Sequence, residues 1–193
     1  MARPQEFETT QALRTAMHVF WEKGYEAASL ADILAATGLS KSSLYATFGD
    51  KRELFLAAFD VYRKEQFTFL HQILTNGEPA RQSIETFFRQ GIAHSRDETQ
   101  SYGCMTANEA VELAPSDADI QHLVAQDFQA IEDAFVQAIT RGQTDGSIAS
   151  RQDPRALARF LVVGLQGLKV MSRAKSDFAR LEDSVSVMMK VLD

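Results

Sequence analysis

Apolar residues recur along this chain at spacings of three and four, and nowhere alternate with period two for long, so the pattern predicts helices throughout. Leu13, Met17, Phe20 and Gly24 fall at i, i+4, i+7 and i+11, one stripe of a first helix that ends at the glycine. Ser29 follows as an N-cap, with Asp32 three residues on as a shorter form of the capping box. It opens a brief second helix carrying Leu30, Ile33 and Leu34, which stops at Thr37-Gly38. Ser40 caps a third helix with Leu44 and Phe48 as its apolar positions, and Gly49 ends it. Asp50 caps a longer fourth helix with Phe55, Phe59, Tyr62 and Phe69 along one side.

Turn and breaker residues then fall near Asn76 to Pro79, Ser101 to Gly103, Pro115-Ser116, Gly142 to Gly146 and Asp153-Pro154. They predict helices at about 79–95, 104–113, 117–141, 154–173 and 177–192. No internal repeat or low-complexity segment interrupts them. The expected fold class is all-α, three short helices followed by longer ones.

The second and third helices, joined by Thr37-Gly38-Leu39-Ser40, have the proportions of a helix-turn-helix. Gly38 suits the turn because it accepts positive φ. Leu30, Ile33, Leu39, Leu44 and Phe48, with Phe20 from the first helix, would form a mini-core that fixes the angle at which the third helix enters a major groove. Several landmarks now stand in register: Ala12-Leu13, Phe20-Trp21-Glu22-Lys23-Gly24-Tyr25, Ser29-Leu30-Ala31-Asp32-Ile33, Ala36-Thr37-Gly38-Leu39-Ser40, Ser43-Leu44-Tyr45, Phe48 and Lys51. Over residues 10–55 the chain resembles the TetR family of transcriptional regulators.

The resemblance implies a division into a helix-turn-helix DNA-binding domain at 1–52 and a helical ligand-binding and dimerisation domain at 53–193. It also implies roles. Ser29 and its neighbouring backbone N–H groups would hold a phosphate. Lys41, Ser42 and Ser43 would face the groove, Tyr45 and Thr47 would touch phosphate, sugar or a thymine methyl, and Lys51 would clamp another phosphate. Arg3, in a short arm, would reach the minor groove. Each has a plainer reading: Ser29 as a cap alone, Lys41 and Lys51 as solvated lysines, Tyr45 as a mini-core residue. Ala46 departs from the family, many of whose members carry a larger polar or aromatic residue there.

In the second domain, Phe160 to Leu168 reads as a helix apolar nearly all round and buried on most faces, with Gly164 and Gly167 suggesting close backbone approach. Phe178, Leu181, Val185, Met188 and Leu192 form a stripe suited to a partner helix. The resemblance implies a homodimer through the last two long helices; closure of the monomer core is the alternative. Phe67, Phe87, Phe88, Phe128 and Phe135 are candidates to line an effector cavity, with Asn108 or Gln166 to orient a small molecule. Cys104 sits at a predicted helix start in Tyr102-Gly103-Cys104-Met105, where unpaired N–H groups favour a thiolate. The segment resembles a Gly-Cys motif of one family branch, some of whose members respond to electrophiles, oxidants or metal; a buried structural cysteine is the alternative.

Charge changes this picture only when divided. The net −6 looks wrong for a DNA binder. Yet residues 1–52 hold six cations (Arg3, Arg14, Lys23, Lys41, Lys51, Arg52) against six acids (Glu6, Glu8, Glu22, Glu26, Asp32, Asp50), so the excess acid lies beyond them. A neutral segment permits DNA binding without demonstrating it. One cysteine forms no internal disulfide, no apolar run reaches a membrane span, and the polar start is no signal peptide, so the expected location is the cytoplasm. No phosphate loop, G-x-S-x-G or H-E-x-x-H points to an enzyme, and His71, His94 and His122 show no metal-site spacing with Cys104. No cofactor or metal is expected. The alternative function is a helical protein-interaction module that keeps the helix-turn-helix as a scaffold.

Overall fold

The computed structural model describes residues 3–94 and 102–193, with side chains from residue 9 onward. Among the described residues, regular structure is entirely helical: α1 (Arg3–Lys23), α2 (Leu30–Thr37), α3 (Lys41–Phe48), α4 (Lys51–Leu74), α5 (Ala80–His94), α6 (Met105–Glu112), α7 (Ala118–Asp145), α8 (Pro154–Arg173) and α9 (Phe178–Met189), closed by a 3₁₀ turn at Lys190–Leu192. The all-α expectation holds. The backbone of Arg3 begins α1, where an arm was expected, and its side chain lies outside the described residues. By contacts the chain forms two compact units, Met1–Gln66 and Phe67–Asp193. The first reaches past residue 52 because Leu54, Phe55, Ala58, Phe59 and Tyr62 of α4 are buried.

In the first unit the helix ends are written locally. The Ser29 hydroxyl accepts from the Asp32 N–H while the Asp32 carboxylate accepts from the Ser29 N–H, a reciprocal capping box. Ser40 caps α3 through the Ser43 N–H. Asp50 and Glu53 exchange backbone N–H bonds at the start of α4. Gly38 closes α2 at φ +70°, a left-handed conformation that a side chain would strain. Phe20, Ile33 and Leu44 are fully buried, whereas Leu30, Leu39 and Phe48 are only partly so. Phe55 meets Phe20 edge-on at 5.2 Å and Tyr25 at 4.9 Å. Each such buried side chain contributes about 1.5–3 kcal/mol, enough to fix the two short helices α2 and α3, which would not persist alone. Helix α1, expected to be short like them, runs for 21 residues.

The second unit is built around Phe88, Phe135, Ile84, Ile139, Leu161 and Val185, with α7 packed most extensively on α8. Two glycines are used for packing. A Cβ at Gly142 would lie 2.6 Å from Ile148 and 3.0 Å from Ala80, so α7 runs through the expected break and ends at Gly146. A Cβ at Gly164 would lie 2.3 Å from the Met188 methyl, so a side-chain end rather than the expected neighbouring backbone fills the space there, and Gly167 faces open space.

Two expectations are corrected. The α9 stripe of Leu181, Val185, Met188 and Leu192 is buried in the chain's own core, with Phe178 partly buried against it, so it is not left over for a partner. Conversely α8 is not buried on most faces: Phe160, Val163, Val170 and Met171 are exposed, as is Val187 of α9.

Candidate nucleic-acid interface and sensor region

The first unit presents α3 by a single edge. Leu44 is fully buried and Phe48, one turn on, partly buried, while Lys41, Ser42, Ser43, Tyr45, Ala46 and Thr47 are all exposed. The helix is thus anchored by two side chains and offers a broad polar face of hydroxyls, one phenol and one ammonium. Tyr45 is 43 % exposed, which removes the mini-core reading for it. The Lys41 ammonium stands 5.8 Å from the Tyr45 ring, and the Ser42 and Ser43 hydroxyls lie 3.0 and 2.8 Å from that of Ser40.

The flanking phosphate candidates are held differently. The Ser29 hydroxyl donates to the Asp32 carboxylate at 2.7 Å, so the cap already uses it. That carboxylate also takes the Lys23 ammonium at 2.6 Å; these bonds from Lys23 and Ser29 hold its pKa down at about 2. Lys51 lies 4.5 Å over the Tyr25 ring and 3.5 Å from the Glu26 carbonyl oxygen, a partly buried cation at the start of α4. It is held by these two contacts rather than being a loosely solvated lysine.

In the second unit the predicted sensor residues divide. Cys104 is the N-cap of α6, partly buried, with no side-chain cap bond. Asn108 donates to the Tyr102 carbonyl at 3.2 Å and so braces the turn before Cys104. Gln166 on α8 is partly buried, and neither its amide oxygen nor its nitrogen has a hydrogen-bond partner among the described residues. Phe88 is buried and stacked on Phe135, and it lines a small cavity with Gly91, Ile92, Leu165, Leu168 and Lys169. Phe128 is partly buried; Phe67 is exposed against His71. Phe87 packs edge-on against Phe88 and Phe135 in the core.

Three residues here escaped the sequence reading. Arg173 donates to the Tyr102 carbonyl at 3.4 Å, and a Cβ at Gly103 would come within 3.3 Å of Arg173 and of the Lys169 carbonyl, so the Cys104 turn lies directly on α8. Burial pushes the Lys169 ammonium below the ordinary lysine range, with charge on Cys104 acting the other way. Glu109 on α6 is 1 % exposed with one carboxylate oxygen unpartnered. Burial first, and Glu112 second, push it up to about 8 against the pull of Arg173. A lone Lys in the apolar run before Met171 was the sequence signal for Lys169; Glu109 carried none. Among the described residues no group of three or more His, Cys, Asp or Glu could hold a metal, and no helix is long and apolar enough to cross a membrane.

Comparison with known proteins agrees at both ends of the chain. Residues 12–58 match the tetR family of bacterial regulatory proteins, and residues 80–188 match the tetracyclin repressor-like C-terminal domain. The chain is 33% identical over 194 residues to the HTH-type transcriptional regulator YezE of Bacillus subtilis (strain 168), covering 100% of both. It is 30% identical to the HTH-type transcriptional repressor ComR of Escherichia coli (strain K12), covering 93% of this chain and 86% of that one. Among solved structures, the regulator CifR, in a cysteine-substituted form complexed with 26 bp double-strand operator DNA, superposes with a TM-score of 0.85 at 28% identity, covering 95% of this chain and 96% of that one.

Proposed function

The chain belongs to the TetR family of bacterial regulatory proteins and is a DNA-binding transcriptional regulator rather than an enzyme; from that premise we propose that it is a repressor, binding a palindromic operator as a homodimer and released by a small effector or by modification of Cys104. The observation that carries the reading is the α3 face, where Lys41, Ser42, Ser43, Tyr45 and Thr47 are exposed together on a helix anchored by Leu44. Hydroxyls and a lysine there meet base edges and phosphates, with Ser29 and Lys51 taking the flanking backbone. The Ser29 hydroxyl is committed to its cap, so its share of phosphate binding falls to the N–H groups at the start of α2.

Dimerisation is supported by the exposed apolar face of α8, where Phe160, Val163, Gly167, Val170 and Met171 recur at helical spacing, and by the exposed Val187 of α9. A twofold pair of reading helices requires a roughly palindromic site. The repressor sign follows relatives such as ComR. Effector sensing is assigned to Cys104, Asn108, Gln166 and Phe88, with Phe67 and Phe128 as outer candidates.

The test is a mobility shift on DNA from upstream of the protein's own gene. Binding falls steeply as salt rises if phosphates carry it. Failure to shift any such fragment at about 50 mM salt, where that attraction is strong, would favour a protein-interaction module instead. For the thiol, Cys104→Ser is expected to bind operator and to ignore oxidant. Release of that variant by oxidant removes Cys104 from the mechanism.

A further inference from the structure

The serine hydroxyls at the start of α3 are tied to one another. The Ser40 Oγ accepts the Ser43 N–H at 3.1 Å, and it stands 3.0 Å from the Ser42 Oγ and 2.8 Å from the Ser43 Oγ. Among the described residues neither of those two hydroxyls has a further hydrogen-bond partner. All three serines are exposed, and the Lys41 ammonium between them in sequence is engaged with the Tyr45 ring.

A hydroxyl has one proton and two lone pairs. At Ser40 the helix cap takes one lone pair, which leaves one proton and one lone pair for two neighbouring hydroxyls. With both contacts made as hydrogen bonds, Ser40 donates to one serine and accepts from the other. The serine that donates to Ser40 has spent its proton and offers the groove lone pairs alone. The serine that accepts from Ser40 keeps its proton to give. Turning the Ser40 O–H from one neighbour to the other exchanges the two roles.

We propose that Ser40 is a positioning residue for base readout: it couples Ser42 to Ser43, so that the pair presents one donor at a time, in either order. The proposal rests on the reading of α3 as the helix that meets base edges. In the major groove guanine offers two acceptors, thymine an acceptor, cytosine a donor and adenine one of each. A step that sets acceptors opposite both serines, such as two guanines on the contacted strand, asks for two protons where the coupled pair has one free. Donors opposite both meet no such limit, because each hydroxyl keeps a free lone pair. Independent hydroxyls treat every step as the sum of its halves.

The experiment measures Kd of the full-length protein for a panel of operators. Ser42→Ala and Ser43→Ala first identify the base pairs whose discrimination each serine carries, and those positions are then varied singly and together. In the wild type, a step with acceptors at both is expected to bind about five-fold or more weaker than the product of the single changes. Ser40→Gly keeps a good N-cap residue and removes the hydroxyl, so its panel is expected to be additive to within about two-fold. Ser40→Thr keeps the hydroxyl and is expected to keep the coupling. A cap with no part in readout moves the affinity of every operator alike. Coupling that survives Ser40→Gly, or a wild type that is already additive, therefore overturns the proposal; serines that still discriminate singly leave the α3 reading standing. Operator binding in which neither alanine variant alters discrimination at any position overturns both.

Discussion

On the repressor reading proposed above, Lys51 would exchange a resting contact for a phosphate. Its ammonium sits on the Tyr25 ring, a contact of roughly 0.5–1 kcal/mol at an exposed site, weak enough for a phosphate to replace. Replacing Lys51 by Ala is expected to weaken binding to all DNA sequences alike and to lower the slope of log affinity against log salt by about 1, measured by titration at several salt concentrations. Ser42→Ala or Ser43→Ala should instead change which sequences are preferred; unchanged discrimination in a panel of operator variants removes those serines from base readout. Asp32 carries a pH dependence of definite sign. Its folded pKa of about 2 lies below the unfolded value of about 3.9, so its stabilisation is present above the latter and lost as pH falls through the former. The Tm gap between wild type and Asp32→Asn is expected to narrow over that interval. The Ser29–Asp32 box could be read from four consecutive letters because both partners are local. Lys169 could not, because its environment is assembled from α5 and the Cys104 turn, far apart in the chain.

At the scale of elements, α6 and α7 hold the features least visible beforehand. α6 carries Glu109 into the interior, where its folded pKa of about 8 exceeds the unfolded value of about 4.3. For a raised pKa the contribution is fully present below the unfolded value and is lost as pH rises through the folded one. Stability is therefore expected to fall by a few kcal/mol between about pH 4 and about pH 8, and Glu109→Gln to flatten the curve; urea midpoints across that range decide it. Helix α7 runs through Gly142, where breaker chemistry predicted a stop. A glycine in a helix signals either an end or a close neighbour, and Ile148 and Ala80, the neighbours here, are set by tertiary packing. Gly142→Ala gains about 1 kcal/mol of helix propensity and costs about 1–3 kcal/mol of overpacking, so a lower Tm is expected. The short helices of the first unit, by contrast, were legible almost to the residue, because Ser29, Gly38, Ser40 and Gly49 mark their ends in the sequence itself.

At the scale of the molecule, periodicity identified which helices carry apolar stripes but not whom each stripe faces. The α9 stripe turned out to close the chain's own core, while α8 keeps Val163 at 73% exposure. Val163→Glu is expected to leave the helical content intact, shift the protein to a monomer by light scattering, and weaken operator binding by about 100-fold or more through loss of the second half-site. A dimeric Val163→Glu places the interface elsewhere. The single cysteine at the start of α6 has a consequence in time rather than in affinity. An oxidised Cys104 has no second thiol on its own chain to resolve it. If Cys104 is the switch proposed above, its reset depends on thiols supplied from outside the chain, and the pool of small thiols around the protein, rather than its fold, sets how long an oxidant is remembered after it has gone.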